Sequence, residues 1–524
     1  MRVMAVVAAC LMVVALLAVE GRYAGISAGR ARALAAPSPS VSATAATTGS
    51  PWCAAEVSYL SEAAAVAWMA GVPSEKPCAS TTLVWDDRWL LADSGDYNHD
   101  LARACAVLTA VCNAESCWYS GTAGARPFAE EALAQLGFSR VRTDSYAWRS
   151  SLLDEVGAFL TGSHEGVAYT FAAKTVDPDA WDVAGEDALG GGAQDGGAEG
   201  RGAPGAHDAA SGAPSPGTGA GADEGPLTFV FVGVRGSYGF EWLTNFNLGE
   251  GPDHGGYREA EADLARALAA YLDDLGVDPA RTRVLVTGHS RGGAVANLLA
   301  ARLNELGRTS QALAPTEGVY AYTFASPAVS RKAEEGRYGN IFNVVSASDP
   351  VPRLPLASWG YGRHGVTVTI PRATAAEGGL GLAPTLDRGG CGVPAPGLAL
   401  ASSAPVMGDW GVGVARVPAS SPSPDAWLAG AARSTAMEAS FRANTGVGFD
   451  AAGACEAADA LDAFEGRVAA LAKAEGLLPA AGEVADAAAA LSALSPAAAL
   501  ASHYPDAYIA WLQALDEEDL AIGA

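Results

Sequence analysis

The sequence predicts an α/β protein built on a mostly parallel sheet with helices on both faces. Three observations lead there. From Leu227 onward strand-like and helix-like stretches alternate, which is the pattern of a covered parallel sheet. The strand-like stretches are short, apolar and rich in β-branched residues, as strands buried on both faces are. Half of all residues are hydrophobic, enough to supply a core of full domain size. The chain has 524 residues, with 33 Lys and Arg against 58 Asp and Glu and a net charge of −25. Binding nucleic acid takes a basic surface that neutralises phosphates, so that class is excluded, as is disorder over the whole chain. The acidity otherwise argues for solubility through self-repulsion, names no partner and leaves the oligomeric state open.

At the N-terminus, Val3 to Val19 is an unbroken apolar run behind Arg2, with Glu20 and Arg22 beyond it. Its length falls between a signal-peptide core and a membrane span, and Ala33-Leu34-Ala35 before Ala36 fits a cleavage site. Residues 1–35 therefore read as an export signal, or alternatively as an uncleaved anchor. Either places the protein outside the cell or at its surface. Residues 36–50, mostly Pro, Ser, Thr and Ala, read as a linker, and 51–524 as one domain. Removing Cys10 with the signal leaves an odd number of the eight cysteines. Cys53 with Cys78 and Cys391 with Cys455 each bracket one segment and are candidate disulfides in an exported chain. Cys112 and Cys117 have no second pair at ligand spacing, so no metal site is expected.

Residues 98–113 and 126–136 carry apolar residues at helical spacing, and Val167 to Val176 and Leu227 to Val234 read as strands. Between those strands, residues 184–225 are dominated by Gly, Ala, Pro, Ser and Asp. Such a segment buries too little surface to offset its ordering entropy and reads as a disordered insertion within one domain. Then follow a helix over Tyr257 to Leu275, a strand over Arg283 to Thr287, and a helix over Gly292 to Leu306. Two more strands, Val319 to Phe324 and Ile341 to Ser346, come next. Residues 371–500 form a long Ala-rich insertion, cap-like, with helical stretches near 424–442 and 456–476. A final short apolar helix lies around Tyr508 to Leu512.

The chemistry is carried first by Gly288-His289-Ser290-Arg291-Gly292-Gly293, between the strand ending at Thr287 and an Ala-rich helix. Strand, Gly-x-Ser-x-Gly and helix make a nucleophile elbow, with the Ser290 hydroxyl raised above the sheet and the Arg291 amide at a helix N-terminus facing a developing oxyanion. A serine needs a base and an orienting carboxylate downstream. Asp349, at the end of the apolar strand ahead of Pro350-Val351-Pro352, is the carboxylate candidate, although Asp-Pro also begins ordinary turns. Of seven histidines only His364 and His503 follow Asp349, and spacing alone does not choose between them.

These residues resemble the class 3 (fungal-type) lipase family of α/β-hydrolases, and its bacterial lipase-like branch in particular. The resemblance rests on Phe231-Val232-Gly233-Val234-Arg235-Gly236-Ser237, Glu241 to Phe246, His254-Gly255-Gly256-Tyr257 and the elbow. Tyr322 to Pro327, Asn343 to Pro352 and Ser502-His503-Tyr504 extend it, and Asp96 to Ala102 resembles the N-terminal helix of that branch. It implies an α/β-hydrolase fold with a mostly parallel central sheet flanked by helices. It further implies His503 as the base, a backbone amide of Ser237 paired with that of Arg291 in the oxyanion hole, and a structural role for His254. A lid over the site arises in the family near the aromatic stretch Tyr238 to Phe246. Two departures stand out: the family places its histidine much nearer the Asp, and the 184–225 insertion is foreign to the compact fold.

The expected reaction is hydrolysis of lipid or acyl esters through a Ser290-Asp349-His503 triad and an acyl-enzyme, with no cofactor. Contact with a lipid interface follows from such a substrate. Two alternatives share the fold: a catalytically silent surface-anchored binding protein, and an acyltransferase using the same triad.

Overall fold

A computed structural model describes residues 50–59, 61–64, 79–116, 128–144, 167–181, 225–236, 251–334, 336–372, 424–473 and 501–523. The strands among them are β1 (Trp52–Tyr59), β2 (Ala79–Asp86), β3 (Ser139–Asp144), β4 (Tyr169–Val176), β5 (Leu227–Val234), β6 (Thr282–His289), β7 (Val319–Phe324), β8 (Ile341–Ser346), β9 (Val366–Ile370) and β10 (Ala521–Ile522). The α-helices are α1 (His99–Ser116), α2 (Phe128–Gln135), α3 (Gly255–Leu275), α4 (Arg291–Leu306), α5 (Pro424–Thr445), α6 (Ala451–Lys473) and α7 (Pro505–Ala514).

Eight strands make one sheet in the order β10-β9-β8-β7-β6-β5-β4-β3. The central run from β5 to β9 is parallel throughout. Antiparallel neighbours, β10 at one edge and β4 and β3 at the other, complete it. This is the mostly parallel sheet expected from the alternating pattern, and the α/β-hydrolase architecture that the resemblance implies. β1 and β2 pair as a separate antiparallel sheet.

Because side chains alternate along a strand, each face of the sheet has its own composition. Phe229, Phe231, Tyr320, Tyr322, Phe324 and Phe342 point to one layer, where α1, α2, α5, α7 and the β1–β2 pair contribute core residues. Val230, Val232, Val284, Val286, Val319 and Ala321 point to the other, which is covered by α3 and α4. Both faces being buried explains why these strands read as continuous apolar runs.

The aromatic layer is assembled from the two ends of the chain. His99 and Arg103 of α1 sit at the C-terminal end of α7. His99 Nε2 approaches the Leu512 and Leu515 carbonyls at 3.1 and 2.9 Å, and Arg103 donates to the same two at 2.7 Å each. These donors satisfy carbonyls that a helix end leaves open, and the positive charge of Arg103 complements the helix dipole. At the sheet edge Lys174 of β4 is buried, paired with Asp87 and donating to the Leu136 carbonyl at 2.9 Å.

The expected signal (1–35), residues 36–49 of the linker and residues 184–224 of the Gly/Ala-rich insertion lie outside the described residues. The insertion expected at 371–500 is described over 371–372 and 424–473, where it forms α5 and α6. α5 buries Met437 and Phe441 in the aromatic-side core. Among the described residues Cys53 and Cys455 form no disulfide, and their suggested partners Cys78 and Cys391 lie outside those residues. Among the described residues no helix is long and apolar enough to cross a membrane.

Candidate active site

Ser290 is the single residue between β6 and α4, with backbone angles of φ 56° and ψ −127°. A residue with a Cβ held there carries strain of about 1–3 kcal/mol, which the surrounding packing must impose. The flanking glycines make that packing possible. A Cβ at Gly288 would lie 2.4 Å from the Gly292 carbonyl oxygen, and one at Gly292 would lie 2.3 Å from that of Val234. The spacing of Gly-x-Ser-x-Gly is thus a requirement of strand and helix crossing at close range. The Ser290 amide donates to the Phe324 carbonyl at 2.9 Å, fixing the turn against β7.

His503 precedes α7, and its ring bridges the serine and the acid. Nε2 lies 3.0 Å from Ser290 Oγ, while Nδ1 lies 3.0 and 2.9 Å from the two oxygens of Asp349. With its Nδ1–H donated to a carboxylate, the neutral ring leaves Nε2 as an acceptor for the serine proton. Asp349 follows β8 and is wholly buried. Its Oδ1 also accepts from the Val351 amide at 2.9 Å and its Oδ2 from the Tyr508 hydroxyl at 2.8 Å. Tyr508 accepts in turn from the Ser346 amide at 3.1 Å. These donors supply what a buried carboxylate needs in place of water.

Electrostatics follow from the same contacts. Burial alone would push the His503 pKa down. The charge and hydrogen bond of Asp349, with the charge of Glu62, reverse that, and it stands above the usual histidine value. Burial, then the neighbouring Asp349 charge, pushes the Tyr508 phenol well above its ordinary range, so it stays a donor. Burial and the nearby His503 charge push His289 well below the ordinary value, opposed by its hydrogen bond to the His503 carbonyl.

The structure therefore brings Ser290, Asp349 and His503 together, with Arg291 opening α4, whose first amides have no partner within the helix. Ser237 and the aromatic stretch 238–246 lie outside the described residues. His364 is elsewhere. Its carbonyl accepts from Asn297 and Asn343 at 2.8 Å each, and its ring packs edge-on against Tyr338 at 5.5 Å. His254 is buried at the start of α3, stacked on Tyr257 with ring centroids 3.9 Å apart. Sequence reasoning missed Tyr508, whose position in an apolar helix advertises only packing, and the amide pair Asn297–Asn343 that ties α4 to β8. Among the described residues no group of three or more His, Cys, Asp or Glu could hold a metal ion.

Residues 236–359 match the family described as lipase (class 3). A secreted mono- and diacylglycerol lipase 1 of Fusarium solani is 33% identical over 148 residues, covering 26% of this chain and 41% of that protein. A secreted mono- and diacylglycerol lipase A of Penicillium cyclopium is 42% identical over 82 residues, covering 15% and 24% respectively. The chain thus spans less than half the length of these curated relatives. Among solved structures, a lipase from Rhizopus microsporus var. chinensis is similar at 25% identity and a TM-score of 0.23, over 27% of this chain and 53% of that one.

Proposed function

We propose, on the premise that this chain belongs to the class 3 lipase family through residues 236–359, that it is an exported serine hydrolase of lipid esters. The observation that carries the reading is the continuous relay of Ser290 Oγ, His503 and Asp349 at contact distance on a strained elbow. Ser290 Oγ forms a bond to the ester carbonyl carbon while its proton passes to His503 Nε2. The same proton is returned to the leaving alcohol oxygen as the C–O bond breaks, which leaves an acyl-enzyme. Water, deprotonated by His503, then releases the acid. Asp349 holds the imidazole tautomer and stabilises the imidazolium, and Tyr508 and the Val351 amide hold Asp349. The Arg291 amide, with that of Ser237, stabilises the oxyanion; one such donor is typically worth about 10²–10³ in turnover.

Secreted relatives that act on mono- and diacylglycerols support export and a partial-glyceride substrate. Hydrolysis of a panel of p-nitrophenyl esters and of mono-, di- and triacylglycerol emulsions tests the reading. Release of free fatty acid from acylglycerols is the expected result, and inertness toward every ester would overturn it.

A further inference from the structure

The geometry points to His289 as a positioning residue that sets the distance between Ser290 and His503 through the main chain of residue 503. The inference rests on the triad reading above and concerns a side chain which that reading leaves unused. His289 is the last residue of β6, adjacent to the serine, and its Nε2 lies 2.7 Å from the His503 carbonyl oxygen, 214 positions away in the chain. A carbonyl oxygen only accepts, so Nε2 of His289 must carry the hydrogen. The ring is 3% exposed, lies 4.8 Å from the His503 ring between centroids, and meets the edge of Tyr508 at 5.9 Å. Burial and the proximity of His503 keep it neutral, a state that leaves one N–H to donate and puts no second positive charge beside the imidazolium.

Two independent ties then hold the base. Asp349 grips the imidazole through Nδ1 and fixes its rotation. His289 grips the backbone of the same residue and fixes where that ring is hung relative to β6, from which Ser290 also springs. The Asp349 contact alone permits His503 to swing about the carboxylate. The His289 contact removes that freedom along the Ser–His direction. Since misplacement of a reacting group by about 1 Å can cost about a hundredfold in rate, a single buried hydrogen bond here acts on turnover without touching substrate.

The test compares His289→Gln, His289→Asn and His289→Leu with the wild type. The Gln side-chain N–H reaches the place of Nε2, the Asn one falls short, and Leu has none. The readouts are the rate at which a fluorophosphonate probe modifies Ser290, kcat and KM on a p-nitrophenyl ester, and thermal unfolding. Leu and Asn are expected to lower labelling rate and kcat by about 10- to 100-fold at unchanged KM. Gln is expected to recover most of that loss, and its comparison with Asn still decides the matter if the Leu protein does not fold. Wild-type rates in Asn or Leu, or a Gln variant no better than Asn, would overturn the role of His289 while leaving the triad reading intact. Failure of the probe to modify Ser290 in the wild type would instead overturn the triad reading and this inference with it.

Discussion

The two faces of the central sheet are built on opposite plans. Toward α3 and α4 strands β5 to β8 present Val, Ala and Ile, and the backbone of α4 comes so close to β5 and β6 that even a methyl group at Gly288 or Gly292 would collide. Toward α1 and α7 the same strands present mostly Phe and Tyr, with Leu285 and Val344 among them, and the space is filled by elements distant in the chain. The close face is local in sequence, a strand, a turn and a helix in one run, and it contributes Ser290 and the Arg291 amide. The aromatic face is assembled over long range and contributes His503 and Tyr508. The acid stands between them, after β8, and is reached from the aromatic face by the Tyr508 hydroxyl and the His503 ring. The comparison teaches that the elbow is a property of one segment, whereas the relay exists only when the distant segment carrying His503 and Tyr508 is docked beside it.

That division can be broken at several points. Ser290→Ala removes the proposed nucleophile but no packing atom beyond Oγ. Ester hydrolysis should fall by about 10⁴- to 10⁶-fold in kcat with the melting temperature held, as seen by kinetics beside calorimetry.

Asp349→Asn keeps the shape of the acid and loses its charge. A fall of about 10⁴ in kcat is expected. It should also move the acid limb of the pH–kcat/KM profile to lower pH, because the carboxylate is what lifts the His503 pKa against burial. The sign is fixed by the chemistry: the base works only when neutral, so wild-type activity should fall as the pH drops through a value above about 6.5. Stability runs the other way. The raised pKa contributes stability fully present below the unfolded value and lost as the pH rises through the folded one.

Gly292→Ala tests the close face. The added methyl would meet the Val234 carbonyl oxygen and the Arg235 backbone, none of which is a flexible side-chain end. A loss of about 1–3 kcal/mol or more in chemical denaturation is expected, with activity falling as the elbow shifts. Tyr508→Phe tests the aromatic face. It strips one donor from Asp349 and leaves the Ser346 amide without its acceptor. About 1–3 kcal/mol of stability should go, with a smaller loss of kcat than Asp349→Asn causes.

What was legible in the sequence follows the same line between local and distant. Strands Leu227–Val234, Val319–Phe324 and Ile341–Ser346 have the bounds their apolar runs announce. The elbow was legible because its geometry is written in consecutive residues, two glycines that cannot carry a Cβ around a serine between strand and helix. The β1–β2 pair escaped notice: its sequence, WCAAEVSY and ASTTLVWD, lacks clean alternation and its partner strands are joined by a long segment. Choosing between His364 and His503 was beyond spacing, since chain order admits both, and only the resemblance separated them. Tyr508 and His289 were invisible as site residues for a related reason. Each acts across a gap of 159 or 214 positions, and nothing local marks a tyrosine or a histidine as the partner of a distant acid or carbonyl.

The most direct measurement is mass-spectrometric mapping of fluorophosphonate adducts on wild type, His503→Ala and His364→Ala. A wild-type adduct on Ser290, nearly lost in His503→Ala and retained at the wild-type rate in His364→Ala, is the predicted result. Labelling of Ser290 that persists undiminished without His503 would contradict the claim that the segment carrying His503 supplies the base for this serine.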